Sequence, residues 1–267
     1  MEAYVIATRL AGIDVVRSPS ISGPPDFVGV GAQRSGTTWW FEILLGHPQV
    51  RGPKSGAKEQ HFFDRYCRRA MTSEDIGRYH RKFPRRDGQI SGEWTPRYML
   101  DFWTPPLIAR AAPDAKILVL LRDPIERFRS GVPHRLSRTA DPRIQPAVAD
   151  AIERGRYATQ MRRLHANFAP EQILVLQYER CRDDPASEYR RTLEFLGVDP
   201  DHQPDGGFEQ PRGTTQETRK SLVWKDMHEA LHATYDPEIV ELAELVPELD
   251  LSVWPNFTDV AADAVPR

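Results

Sequence analysis

The stretch Gly31-Ala32-Gln33-Arg34-Ser35-Gly36-Thr37-Thr38 has the residue types and spacing to hold an anion. Two glycines flank a polar loop. The apolar run Phe27-Val28-Gly29-Val30 precedes it, and a second run, Trp39 to Leu45, follows. The first run predicts a buried strand and the second a helix, stopped by Gly46 and Pro48. Strand, glycine loop and helix turn backbone N–H groups and a helix N-terminus toward negative charge. The loop is therefore expected to hold a phosphate.

Its pattern nearly matches G-x-x-x-x-G-K-[ST], the nucleotide P-loop. Both glycines and the final Thr38 fit, but Thr37 stands where the lysine belongs. In ATPases and GTPases that lysine holds the β/γ-phosphates, and a carboxylate on a second strand helps to hold magnesium. The best second strand, Ile117 to Leu121, runs into Arg122-Asp123-Pro124. Asp123 there reads as a helix N-cap and Pro124 as the first helical residue. A Mg-triphosphate is thus poorly supported, and a P-loop kinase or NTPase is the alternative reading.

Several elements must position this loop. A polar amphipathic helix is predicted over 73–86, a short strand over 89–93 and a helix over 104–111. The clearest strand is Lys116 to Leu121, with a helix from Pro124 to Ser130 or beyond. A long helix is predicted from Gln145 to Phe168, then a strand from Ile173 to Gln177 and a helix from Asp184 to Leu196. The segment 199–224 reads as a long loop, and a last helix covers 236–246. Of Trp39 and Trp40, both expected in the core, adjacency allows only one to face it fully. Tyr178 and Glu179 are expected to support the site from the end of their strand. Alternating strands and helices predict one α/β domain, its central, mostly parallel sheet flanked by helices. The expected limits are a leader at 1–25, the domain at 26–255 and a loose tail at 256–267.

Bulk properties exclude several classes. The 267 residues carry a formal net charge of -2, which argues against a nucleic-acid binder. Only six of the 36 basic residues are lysines (54, 58, 82, 116, 220 and 225), and arginine suits bidentate contacts to phosphate or sulfate. Two cysteines, Cys67 and Cys181, make neither a disulfide framework nor a metal cluster, and no metal is expected. There is no 18-residue apolar run and no convincing signal peptide, so the expectation is a cytoplasmic protein without a membrane span. Its oligomeric state is not readable.

Gln33-Arg34-Ser35-Gly36-Thr37-Thr38 resembles the 5′-phosphosulfate loop of the sulfotransferases that use 3′-phosphoadenosine 5′-phosphosulfate (PAPS). Arg122-Asp123-Pro124-Ile125-Glu126-Arg127-Phe128-Arg129-Ser130 resembles their 3′-phosphate motif, R-D-P-x-x-R-x-x-S. Lys58-Glu59-Gln60-His61-Phe62-Phe63-Asp64 is similar to the catalytic segment of the heparan-sulfate-type Golgi branch, and Glu93-Trp94-Thr95-Pro96-Arg97-Tyr98 to its E-K-T/S-P-x-Y block. The similarity covers most of residues 26–255 in the same order.

The resemblance implies a P-loop NTPase-like sulfotransferase fold and sulfuryl transfer from PAPS to a hydroxyl or amine, leaving adenosine 3′,5′-bisphosphate (PAP). PAPS has no γ-phosphate, which suits a loop without the P-loop lysine. Ser35, Gly36, Thr37 and Thr38 would hold the 5′-phosphate. Arg34, in place of the family's usual lysine, would neutralise charge on the bridging oxygen. Arg122 and Ser130 would bind the 3′-phosphate, Arg122 from a strand end where open α/β sheets place ligands. Glu59 is the candidate general base and His61 the competing one. Arg219 and Lys220 resemble a late basic loop over the 3′-phosphate. Glu93, Thr95 and Arg97 are expected to face the acceptor, and Trp94, where the branch often has lysine, implies an acceptor less anionic than heparan sulfate. A glycan, a glycolipid or another small molecule remains open as acceptor. So does a non-catalytic nucleotide-binding protein.

Overall fold

The computed structural model describes residues 19–138, 143–209 and 227–263. Its centre is a five-stranded parallel sheet of β2 (Phe27–Gly31), β3 (Val50–Arg51), β5 (Ile90–Trp94), β6 (Lys116–Leu121) and β7 (Ile173–Gln177), in the order β3-β5-β2-β6-β7. The apolar runs read as β2, β6 and β7 are buried on both faces, as parallel strands under crossover helices must be. Alternation sorts their side chains. Val28, Val30, Ile117, Val119, Leu121, Ile173 and Val175 enter the core on one face. Phe27, Leu118, Leu120, Leu174 and Leu176 enter the core on the other. Gly29 is required by close approach, since a Cβ there would lie 2.1 Å from the Trp94 ring on the neighbouring strand.

The first face is covered by α3 (Thr104–Ala111), α4 (Pro124–Leu136), α5 (Gln145–Glu153), α6 (Tyr157–His165) and α9 (His228–Leu245). The second is covered by α1 (Thr37–Leu45) and α8 (Pro185–Leu196). Two short helices complete the set that bears on the argument: α2 (Ser73–His80) and α7 (Tyr178–Asp183). No helix among the described residues is long and apolar enough to cross a membrane.

Several expectations need correction. The helix expected over 73–86 ends at His80, and Pro84–Arg85 form β4, which pairs antiparallel with β1 (Ile21–Ser22). Residues 21–22 of the expected leader are therefore held by backbone pairing. The long helix expected over 145–168 is two helices meeting at an elbow near Gly155. Carbonyls freed there are taken by side chains: the Tyr235 hydroxyl donates to Ile152 O at 3.3 Å, and Gln160 Nε2 to Glu153 O at 3.0 Å. The last helix begins at His228, because Leu231 and Tyr235 bury the extra turns. Trp39 and Trp40 are both buried, packed edge to face at 5.2 Å, since loop and sheet together enclose the start of α1. The tail beyond 255 is docked at its start, with Phe257 1% exposed against the core.

Candidate active site

Four strand ends meet at one edge of the sheet, where open α/β sheets bind ligands. From β2 leads the loop to Gly36, from β5 Thr95, from β6 Arg122-Asp123, and from β7 Tyr178-Glu179. Gly36 sits at φ 85° before α1, and a Cβ there would lie 2.8 Å from the Tyr178 ring. Only glycine meets both conditions without movement.

The structure brings the expected donor-site residues together. Arg34 Nε donates to Ser130 Oγ at 3.0 Å, joining the glycine loop to α4. Arg122 Nη1 donates to the Arg34 carbonyl at 3.4 Å, and its guanidinium lies 4.8 Å over the Tyr178 ring. Burial, with the Arg122 charge nearby, lowers the Arg34 pKa from its usual value. Among the described residues, buried Ser35 Oγ and Arg122 Nε have no hydrogen-bond partner. Unsatisfied buried polar atoms of this kind suit an anion with acceptor oxygens. Arg219 and Lys220 lie outside the described residues.

Asp123 is the cap the sequence implied. Its Oδ1 accepts from the backbone N–H groups of Ile125 at 2.9 Å and Glu126 at 3.1 Å. Its Oδ2 accepts from Asn256, through the backbone N–H at 3.0 Å and Nδ2 at 2.8 Å. Both carboxylate oxygens are thus committed to fixed donors.

Lys58 stands beside the glycine loop, a place the sequence did not disclose. Its ammonium donates to Thr37 Oγ1 at 3.1 Å and Thr38 Oγ1 at 3.0 Å, and lies 3.3 Å from Glu59 Oε1. A cation from another segment thus lies beside position 37, where the P-loop pattern has its lysine. No spacing rule in the sequence points to it. Burial lowers the Lys58 pKa, and the neighbouring Glu59 charge opposes that shift.

Glu59 and His61 belong to one chain of contacts. His61 Nε2 lies 3.1 Å from Glu59 Oε2, and His61 Nδ1 lies 2.9 Å from Asp64 Oδ2. Both ring nitrogens and both Glu59 oxygens are therefore engaged, Oε1 toward Lys58, with the Glu59 side chain 38% and the His61 side chain 49% exposed. Arg34 and His61 are the described non-glycine residues with positive φ, at 72° and 46°. Such geometry costs on the order of 1–3 kcal/mol per residue and gathers at functional sites.

The acceptor-side expectations divide. Arg97 is half-exposed and bonded to Asp101 Oδ2 at 2.7 Å, with Asp64 at 4.0 Å, so it lies beside the His61 chain. Glu93 and Thr95 do not face an acceptor, because both are completely buried. They hold the backbone of the segment from Lys58 to Asp64 from beneath. Gln60 N donates to Thr95 Oγ1 at 2.9 Å and to Glu93 Oε2 at 3.2 Å, and the Tyr79 hydroxyl donates to Glu93 Oε1 at 2.7 Å. Burial pushes the Glu93 carboxyl up to about 6. Trp94 is buried as well, its indole N–H bonded to the Gly31 carbonyl at 3.1 Å, so it carries no information about acceptor charge. Cys67 and Cys181 are free thiols.

Comparison with known proteins identifies the family. Residues 24–230 match the sulfotransferase domain family model. The chain is 32% identical over 203 residues to heparan sulfate glucosamine 3-O-sulfotransferase 6 of Mus musculus, a match covering 71% of this chain and 57% of that protein. It is 32% identical over 188 residues to the human 3-O-sulfotransferase 3B1, covering 65% and 46%. The chain thus spans about half the length of the curated relatives it matches. The crystal structure of a sulfotransferase from Alicyclobacillus acidocaldarius superposes with a TM-score of 0.68 at 28% identity, covering 86% of this chain and 98% of that one. A sulfotransferase domain from the curacin biosynthetic pathway shares the fold, with a TM-score of 0.51 at 13% identity, over 91% and 98%. With motifs, sheet order and family match in agreement, the chain belongs to the sulfotransferase family and has its P-loop-like α/β fold.

Proposed function

We propose that the protein transfers a sulfuryl group from PAPS to a hydroxyl of a glycan or other small-molecule acceptor, with Glu59 as general base. The observation that carries this reading is the convergence of Arg34, Arg122 and Lys58 on the loop that ends at Gly36, with Glu59 3.3 Å from Lys58. Three cations around one glycine loop suit a donor with two separate anionic groups. Relatives at 32% identity are named heparan sulfate glucosamine 3-O-sulfotransferases and those at 27–28% bifunctional heparan sulfate N-deacetylase/N-sulfotransferases, so the higher identity favours a sugar hydroxyl over an amine.

When bound, PAPS supplies an activated sulfuryl group whose leaving group is a phosphate oxygen. The backbone N–H groups from Ser35 to Thr38 and the two threonine hydroxyls bind the 5′-phosphate. Arg34 and Lys58 neutralise charge that develops at the bridging oxygen, and Arg122 with Ser130 holds the 3′-phosphate. Glu59 Oε2 takes the acceptor proton as the nucleophile attacks. His61, held between two carboxylates, orients Glu59. The committed oxygens of Asp123 tell against the kinase or NTPase reading, which asks that position for a metal carboxylate.

Thermal denaturation with PAP and with Mg-ATP tests the proposal. A ligand that binds only the folded state stabilises it by RT ln(1 + [L]/Kd), about 2.7 kcal/mol at a hundredfold excess over Kd. Stabilisation by PAP without magnesium is expected. Stabilisation by Mg-ATP alone would overturn the proposal, and PAP binding without turnover on any glycan would leave a non-catalytic binder.

A further inference from the structure

Arg122 is held through the residue that follows it. Its carbonyl accepts from the Tyr157 hydroxyl at 2.9 Å. The next N–H, that of Asp123, donates to Glu179 Oε1 at 3.1 Å. The other oxygen of Glu179 accepts from Trp254 Nε1 at 3.0 Å. The Asp123 side chain takes both donors of Asn256. Two residues of one C-terminal segment thus grip the turn that aims Arg122, one through the backbone and one through the side chain.

That segment is itself anchored. Gln177, the last residue of β7, exchanges hydrogen bonds with Asp250, its Nε2 to Asp250 O at 2.8 Å and Asp250 N to its Oε1 at 2.9 Å. Trp254 is fully buried, and the Asn256 amide is oriented by His228, whose Nε2 lies 3.2 Å from Asn256 Oδ1. Asp123 and Glu179 are two buried carboxyls side by side, and burial pushes Glu179 up to about 7. Charge so enclosed is costly unless its donors stay in place. Trp254 and Asn256 lie beyond the residues 24–230 that match the family model.

We propose that Trp254 and Asn256 are positioning residues for 3′-phosphate recognition, acting on Arg122 through Glu179 and Asp123. The proposal rests on the functional reading above, which makes Arg122 a 3′-phosphate ligand. Its chemistry is selective. The donors of Trp254 and Asn256 end on Glu179 and Asp123 and none on Ser35 to Thr38, so affinity for the 3′-phosphate depends on the segment more than affinity for the 5′-phosphate does.

Isothermal titration of the full chain with PAP and with adenosine 5′-monophosphate, which lacks the 3′-phosphate, tests it. Loss of one charge-assisted contact in Asn256→Ala or in the milder Trp254→Phe should weaken PAP binding roughly tenfold and leave the monophosphate unchanged. Donor KM should rise in parallel with kcat held within about twofold. In an Arg122→Ala background, Asn256→Ala should add no further loss of PAP affinity, because coupled residues are not additive. A purely structural role would lower the melting temperature and weaken both ligands equally, or add to Arg122→Ala, and either result overturns the proposal. If the unmodified protein binds PAP no better than the monophosphate, the functional reading fails and takes this inference with it. If it prefers PAP and Asn256→Ala and Trp254→Phe keep that preference, only this inference fails.

Discussion

Arg34 and Ser130 are 96 residues apart in the chain, and the Nε of one donates to the Oγ of the other at 3.0 Å. The contact joins the glycine loop to α4 by one side-chain hydrogen bond. Ser130 lies roughly 10 Å of helical rise from the N-cap. A phosphate bound by Arg122 and Ser130 therefore lies along α4 and not at its tip.

Ser130→Ala removes a hydroxyl that accepts from Arg34 and that the proposed function assigns to the 3′-phosphate. Loss of a hydrogen bond to a charged group is worth roughly 1.5–3 kcal/mol, so PAP affinity should fall about ten- to a hundredfold. Calorimetric titration with PAP checks it. An unchanged Kd would remove Ser130 from the site.

Glu59→Gln should lower kcat by about two to four orders of magnitude, the usual worth of general base catalysis, with the melting temperature unchanged because the side chain is exposed. His61→Asn, a residue that tolerates positive φ, should cost far less, roughly tenfold. Steady-state rates with a glycan acceptor separate the two. The reverse order would make His61 the base.

Gly36→Ala places a Cβ 2.8 Å from the Tyr178 ring at φ 85°. The left-handed conformation alone costs about 1–2 kcal/mol, so the variant should melt at lower temperature. The loop must also shift, so PAP binding should weaken by more than the stability loss accounts for. Full retention of PAP affinity would show that the loop tolerates rearrangement.

Glu93 makes stability fall as pH rises. Burial first, against hydrogen bonds from Thr95, Tyr79 and Gln60, raises its folded pKa to about 6 from the usual 4.5. Below the unfolded value both states are protonated, and no penalty exists. Between about 4.5 and 6 the unfolded chain ionises first, so unfolding becomes easier by roughly 2 kcal/mol, then levels off. Glu179, raised to about 7 by burial, extends the same trend. Urea denaturation from pH 4.5 to 8 should show the decline. Glu93→Gln should remove the part that ends near pH 6, and an unaltered profile would mean that another group titrates.

How much of this was legible depended on whether a residue's partners are local. The buried runs of β2, β6 and β7, the Asp123 cap and the glycine loop were readable because each is decided by neighbours a few residues away. The same reading overran at Pro84 and at Gly155, where a strand partner and Tyr235 decide the boundary from afar. It also took Glu93 and Thr95 for acceptor contacts. Motif proximity says which residues lie together but not which side of a strand faces the cleft.

The sequence by itself determined the fold class, the anion loop and the identity of the charged residues around it, because periodicity, glycine placement and capping are local physics. Only the tertiary structure decided that Lys58 bonds the Thr37 and Thr38 hydroxyls, that Glu93 holds the Gln60 backbone from below, and that Trp254 and Asn256 hold the turn at Arg122. Those contacts join segments far apart in the chain. Their geometry exists only once the sheet has brought the strand ends to one edge.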